Sequence, residues 1–350
     1  MTDASRPRLP ISRFDYDLPP ELIAQHPIEP RDSSRLLIVP RGGTMFEDRI
    51  FHELPEILEP GDVLVLNDTR VIPARLFARR STGGRVEILL LANIEGNIWH
   101  ALARPARRLK TGELLDVLDL SGASSPAQIE VVGREPDGEF TLRIDDAERT
   151  IQRFGQMPLP PYISERLGDP ERYQTVFADR EGSAAAPTAG LHFTPVLLER
   201  CRARGIEIQY VTLHVGLDTF QPVKVEDALQ HQMHSEWYHV NAATMEALRA
   251  AKQDGRRILA VGTTAARTLE TIAPTIGEDR DQSGRTSIYI TPKYEFQLLD
   301  GMVTNFHLPR TTLLLMVSAL AGEKTVHLAY QHAIRERYRF YSFGDAMLIV

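Results

Sequence analysis

The groups able to do chemistry fall in five short polar stretches. Residues 67–70 read Asn-Asp-Thr-Arg between two apolar runs. Asn67 and Asp68 suit an ordinary tight turn, while Arg70, directly ahead of an apolar strand, suits contact with a phosphate or carboxylate. The second stretch, GSAAAPTAGLHFT over 182–194, has almost no side chain to pack. Glycine and alanine let a ligand come close to backbone, as at Gly190, and the reactive groups are Thr188, His192 and Thr194. Leu191 and Phe193 anchor it as a solvated linker would not need, and Thr194-Pro195 reads as an N-cap and first helical residue. Bulk added at Ala185 or Ala189 would then harm a ligand more than the fold.

Further along, His214, His231, His234 and Glu236 cluster in sequence. Their spacing matches neither HExxH nor a zinc finger. Imidazole titrates near neutral pH, so acid–base work is the better use, with His214 and Glu236 as the preferred pair. Thr263 and Thr264 follow a strand and a glycine and open a helix, whose free N–H groups suit a carboxylate or phosphate. Arg267, one turn in, either holds an anion or pairs with Glu270. Last, Asn305 and His307 sit on a polar link ahead of an apolar helix.

These stretches need two kinds of scaffold. From 62 to 145, seven short β-type runs (VLVLN, VIPARLFAR, RVEILLLANI, NIWHALAR, ELLDVLDL, AQIEVVG, EFTLRI) are parted by turn residues, which predicts an antiparallel barrel. Beyond it, strands alternate with helices: 195–204, 241–254, 263–272, 311–321 and 323–338 read as helices, with IEIQYVTLHV and RRILAVG as strands. The expected fold is therefore α/β: a mixed-sheet domain over 1–60 and 150–350 with an antiparallel β-barrel inserted over 61–149.

Composition narrows the class. With 350 residues and 43% hydrophobic content the chain can bury two cores. No apolar run reaches membrane-span length, and the single cysteine, Cys201, allows no internal disulfide. A cytoplasmic protein without membrane partners is expected. The net charge of −7 hides an island from 70 to 110, where nine basic residues face two acidic ones. Such an island suits phosphates or a solvated barrel rim. No GxGxxG occurs, so a conventional Rossmann cofactor site is not expected.

Taken together, RDSSRLL (31–37), LVLNDTRVIPARL (64–76), PLPPYI (158–163), YQTVFA (173–178), the small-residue loop, LHVGLDTFQPV (213–223), MHSEWY (233–238), VGTTAARTLE (261–270), TNFHLPRTTLL (304–314) and YRFYSFGDAMLI (338–349) resemble the S-adenosylmethionine:tRNA ribosyltransferase-isomerase family of queuosine biosynthesis, over nearly the whole chain. The resemblance implies transfer and isomerisation of the ribosyl group of S-adenosylmethionine onto 7-aminomethyl-7-deazaguanine at the tRNA wobble position. The products are epoxyqueuosine-tRNA, adenine and methionine. The sulfonium donor is then a consumed co-substrate, with no metal and no other cofactor, and the partner is tRNA; a monomer is expected. In this light His192, His214, Glu236, His307 and Asp68 are candidates for catalysis. Asn67, Arg70, Thr188, Gly190, Thr263, Thr264, Arg267 and Asn305 are candidates for substrate binding, and Arg79, Arg80, Arg104, Arg107, Arg108 and Lys110 for tRNA phosphates. Two positions depart from the family pattern, which has glycine where Asp218 and Lys293 stand. A methyltransferase using the same donor would carry a glycine-rich loop that is absent here, and a non-catalytic RNA binder would leave the polar loops unexplained.

Overall fold

The computed structural model describes residues 8–135, 138–160, 162–163, 168–216 and 222–350. Two early strands, β1 (Arg35–Val39) and β2 (Glu47–Ile50), and a one-turn helix α1 (Leu54–Ile57) precede β3 (Val63–Asn67) and β4 (Thr69–Val71). Then come β5 (Arg75–Arg80), β6 (Arg85–Glu95), β7 (Ile98–Arg104), β8 (Leu114–Leu118), β9 (Ser124–Arg134) and β10 (Phe140–Ile144), which close a six-stranded antiparallel barrel in the order β10-β7-β6-β5-β8-β9. Helix α2 (Ala147–Phe154) packs Ala147, Ile151 and Phe154 against the barrel core.

The rest is layered. It comprises β11 (Arg180–Ser183), α3 (Pro195–Ala203), β12 (Glu207–Leu213), β13 (Glu236–Val240), α4 (Ala242–Gln253), β14 (Ile258–Val261), α5 (Thr263–Ile272), β15 (Gln282–Thr286), β16 (Gly301–Asn305), α6 (Thr312–Ala321), α7 (Glu323–Arg335) and β17 (Ala346–Ile349). Among the described residues, nine strands form one mixed sheet in the order β15-β13-β12-β3-β14-β16-β17-β1-β2. Strand alternation divides its side chains between two cores. Val63, Val65, Ile258, Ala260 and Met302 pack with α4, α5, α6 and α7, while Leu64, Leu66, Leu259, Val261 and Val303 pack with α1 and α3.

One of the seven barrel runs belongs elsewhere. VLVLN is β3, parallel to both β12 and β14 in the middle of the large sheet, and the barrel strands begin at Arg75 rather than near 61. The reason lies in its pattern: all five residues are buried, as a strand covered on both faces requires, whereas the barrel strands alternate.

Helix boundaries follow their caps. Thr194 accepts from Leu197 N at 3.1 Å, Asn241 from Thr244 N at 2.8 Å, and Thr311 from Leu314 N. Helix α5 differs: its N-cap is Gly262 at φ +89°, with no side-chain cap, rather than either threonine.

Lys293 explains its own oddity. It stands at φ +78° in the turn Thr291-Pro292-Lys293-Tyr294, closed by Tyr294 N to Thr291 O at 3.0 Å. Proline followed by a residue at positive φ is a type II turn, whose third position favours glycine. The other departure, Asp218, lies outside the described residues. Replacing Lys293 by glycine should raise the unfolding free energy by about 0.5–1 kcal/mol, read from the shift in urea midpoint. A lower midpoint in Lys293→Gly would contradict this account of the turn.

Candidate functional site

A cavity opens at the carboxyl ends of β14 and β16, where open α/β sheets place their ligands. Three segments wall it: Ala186–Ala189 of the small-residue loop, Gly262–Thr264 at the start of α5, and residues 304–308 at and just beyond the end of β16. Tyr162, Val215, Thr311, Leu313, Tyr341 and Ser342 complete the wall. Asn67, at the end of β3, holds this corner together. Its Nδ2 donates to Leu213 O (3.0 Å) and Thr264 Oγ1 (3.1 Å), and its Oδ1 accepts from Leu213 N (3.0 Å) and Thr69 N (3.2 Å). Asn67 is thus a clip between elements and does not line the cavity.

A second, larger cleft lies between barrel and sheet. Barrel residues Asn93, Trp99, His100, Glu135 and Glu139 face Gly182, His214, His234, Glu236 and Trp237 across it. Val215 lines the cavity while its neighbours His214 and Gly216 line the cleft, so this short segment parts the two spaces.

The five catalytic candidates separate. His214 stacks on Trp237 at 4.8 Å, with Nδ1 2.8 Å from Thr69 Oγ1. Burial, aided by the charge of Arg180, pushes its pKa down to about 4, so the ring is neutral at pH 7. Its Nε2 has no hydrogen-bond partner among the described residues, and Gly182 keeps that atom accessible: a Cβ there would lie 2.6 Å from it. His307 lines the cavity, its Nε2 2.7 Å from Thr304 Oγ1, and burial likewise favours its neutral form.

His192 is different. It lines neither space: it stacks on Phe51 at 4.8 Å, Nδ1 meets Ser34 Oγ at 2.7 Å, and Nε2 meets Asn305 Nδ2 at 3.1 Å. The structure therefore corrects its reading as a group exposed to ligand. Glu236 is not paired with His214 either. Its Oε2 forms a buried ion pair with Arg267, and its Oε1 accepts from Gly216 N at 3.0 Å. Arg267 in turn does not pair with Glu270, whose carboxylate caps the N–H groups of Gln297, Leu298 and Leu299. Asp68 accepts from Thr212 Oγ1 at 2.6 Å, and burial raises its pKa; it lines neither space.

Among the binding candidates, Thr188, Thr263, Thr264 and Asn305 come together in the cavity. Gly190 does not. A Cβ there would meet Phe177 at 2.8 Å and Thr175 at 2.9 Å, so its smallness serves packing. Ala189 lines the cavity, but Ala185 is buried with Leu213 and Val215, where added bulk would strain the core. Arg70 is occupied by Glu171 at 2.6 Å.

The basic island also sorts itself. Arg80 makes a bidentate pair with Glu113 (2.6 and 3.0 Å), and Arg79 donates to Gly122 O. Arg104, Arg107, Arg108 and Lys110 are exposed and make no ion pair among the described residues. They occupy the far end of β7 and the turn after it, whereas Trp99 and His100, at the start of that strand, face the cleft.

Several site residues escaped the sequence reading. Thr69, Trp237 and Ser34 act by touching candidates distant in sequence, which no local pattern reveals. Gly182 was read with its loop but not as a neighbour of His214. Tyr341 lines the cavity at φ +72°, an uncommon conformation for a bulky residue and one that gathers at functional sites.

The queuosine biosynthesis protein family model matches residues 11–349. The S-adenosylmethionine:tRNA ribosyltransferase-isomerase of Moorella thermoacetica is 53% identical over 345 residues, covering 97% of this chain and 99% of its own. That of Symbiobacterium thermophilum is 52% identical over 346 residues, with the same coverage. The crystal structure of an S-adenosylmethionine tRNA ribosyltransferase from Thermotoga maritima is similar at a TM-score of 0.56 and 42% identity, covering 97% of this chain and 100% of that one.

The buried His192 gives a pH test. Its pKa falls from 6.5 to about 3 on folding, by burial, with Arg339 and Arg31 adding to the effect. Below pH 6.5 the unfolded chain takes up a proton that the native ring refuses, so stability is lost as pH falls from 6.5 toward 3. From pH 6.5 to 5 the loss from this ring is about 2 kcal/mol. Urea unfolding at the two pH values should show it, with a shallower slope in His192→Phe; an unchanged slope would contradict the neutral buried ring.

Proposed function

Because this chain belongs to the queuosine biosynthesis protein family, we propose that it is a transferase/isomerase that moves the ribosyl group of S-adenosylmethionine onto 7-aminomethyl-7-deazaguanine at the tRNA wobble position. The transferred sugar is isomerised to give epoxyqueuosine-tRNA, and adenine and methionine leave. One observation carries the reading: a relative bearing that enzyme name is 53% identical across 97% of this chain and 99% of its own length. S-adenosylmethionine is consumed, and the reaction draws on no metal or further cofactor. The protein works as a monomer in the cytoplasm; among the described residues no helix is long and apolar enough to cross a membrane.

The chemistry needs a base to take a proton from the carbon beside the sulfonium, an acid to protonate departing adenine, and a fixed amine. Of the catalytic candidates, His214 lines the cleft and His307 the cavity, and they share the proton transfers. A neutral ring with an open Nε2 favours His214 as a base. Glu236, locked to Arg267, acts by holding the His214–Gly216 segment through the Gly216 N–H. Asp68 braces the end of β3 beside Thr69 and can answer positive charge. The start of α5, with Thr263 and Thr264, receives the methionine carboxylate.

Two measurements test this. His214→Gln should lower adenine release on substrate tRNA by about 10²–10⁴-fold, measured in single turnover; a normal rate would remove His214 from the chemistry. Arg104, Arg107, Arg108 and Lys110 dock tRNA phosphates. Reversing Arg107 and Arg108 to glutamate should weaken tRNA binding and reduce the slope of log affinity against log salt by about 2. Unaltered binding would move the docking face elsewhere.

A further inference from the structure

Four side chains form one hydrogen-bonded line from the core to the cavity wall: Ser34, His192, Asn305 and Thr188. The successive distances are 2.7 Å (Ser34 Oγ to His192 Nδ1), 3.1 Å (His192 Nε2 to Asn305 Nδ2) and 3.0 Å (Asn305 Oδ1 to Thr188 Oγ1). A fixed point gives the line a direction. Asn305 Nδ2 also faces the carbonyl oxygen of Asp345 at 3.5 Å, and a carbonyl only accepts. The amide nitrogen therefore points inward. It follows that His192 Nε2 accepts from Asn305 and that Nδ1 carries the ring proton, donated to Ser34 Oγ. At the other end Asn305 Oδ1 accepts, so Thr188 gives its hydroxyl proton to Asn305. Thr188 lines the cavity, and what it presents there is lone pairs.

The surroundings say what those lone pairs meet. Ala189, the next residue, would have its Cβ 3.5 Å from a Cβ built on Gly262, so the loop abuts the start of α5. There Thr263 is only 7% exposed, lines the same cavity, and has no hydrogen-bond partner for its hydroxyl among the described residues. Free N–H groups and an unpartnered hydroxyl form a place for a carboxylate. A fixed acceptor beside it matches a group that carries an ammonium and a carboxylate on one carbon.

We propose that Thr188 Oγ1 is a fixed acceptor for the ammonium of an α-amino-acid group on the ligand, and that His192 is the positioning residue that holds it so through Asn305. This rests on the reading above that the cavity takes the sulfonium donor, whose methionine end carries such a group; it adds which atom reads the ammonium. His192 stays neutral through the ordinary pH range, so the direction of the line does not change there.

The test compares binding of S-adenosylmethionine with that of its analogue lacking the α-amino group, by calorimetry on the full-length protein. In the wild type the amine should improve affinity. Thr188→Val, which keeps the shape and removes the oxygen, should cut that preference by about tenfold, while Thr188→Ser should keep it. His192→Phe retains the stack on Phe51 and should lose the preference in the same sense; if that variant fails to fold, the two Thr188 variants decide. A Thr188→Val protein that weakens both ligands equally, or retains the full preference, overturns the inference while the donor reading stands. A wild-type protein that binds neither ligand overturns the donor reading, and the inference with it.

Discussion

Everything at the carboxyl end of the sheet depends on one buried amide, that of Asn67. Its four hydrogen bonds tie the end of β3 to the end of β12, to the first turn of α5 and to the start of β4. A buried amide that satisfies donor and acceptor together fixes geometry, because leaving any of its partners unpaired costs on the order of 1–3 kcal/mol. Through Leu213 it sets the strand that leads into His214. Through Thr69 it sets the hydroxyl against which His214 rests, and through Thr264 it sets the helix end that walls the cavity. One residue thus aligns the two spaces relative to each other.

Polar groups around these spaces are committed in direction more often than they are free. His192, Asn305 and Thr188 form an ordered line, Glu236 is held between Arg267 and Gly216 N, and Asp68 is held by Thr212. The imidazoles His192 and His214 are kept neutral by burial. Kept neutral, these rings add no positive charge around the two spaces. The cleft is lined by the carboxylates Glu135, Glu139 and Glu181 and by the guanidinium of Arg285.

Much of the architecture was legible in the sequence because it rests on local rules. Thr194, Asn241 and Thr311 announce three helices by capping them, and the strands that build the barrel carry their alternation and turns in plain view. VLVLN carries a local signal too: its unbroken apolar run fits a strand covered on both faces, while its nearness to the barrel strands along the chain suggests a place among them. The site was less legible. Asn67 and Glu236 stand out in the sequence as polar residues, but Leu213 and Arg267, which hold them, are 146 and 31 residues away. Sequence spacing carries no trace of such pairings. His192 is the clearest case, since the chemistry that makes imidazole a good catalyst also makes it a good buried hydrogen-bonding link.

The barrel leaves and rejoins the large domain at nearly one point. Arg75 opens β5 and Gln156 follows α2, and the two residues exchange backbone hydrogen bonds, Arg75 N to Gln156 O at 3.1 Å and Gln156 N to Arg75 O at 2.8 Å. An insertion whose ends already touch imposes almost no closure entropy on its host. The barrel is thus a cassette with a sealed neck, whose turns away from the cleft can lengthen without altering the path of the chain through the sheet that holds the cavity.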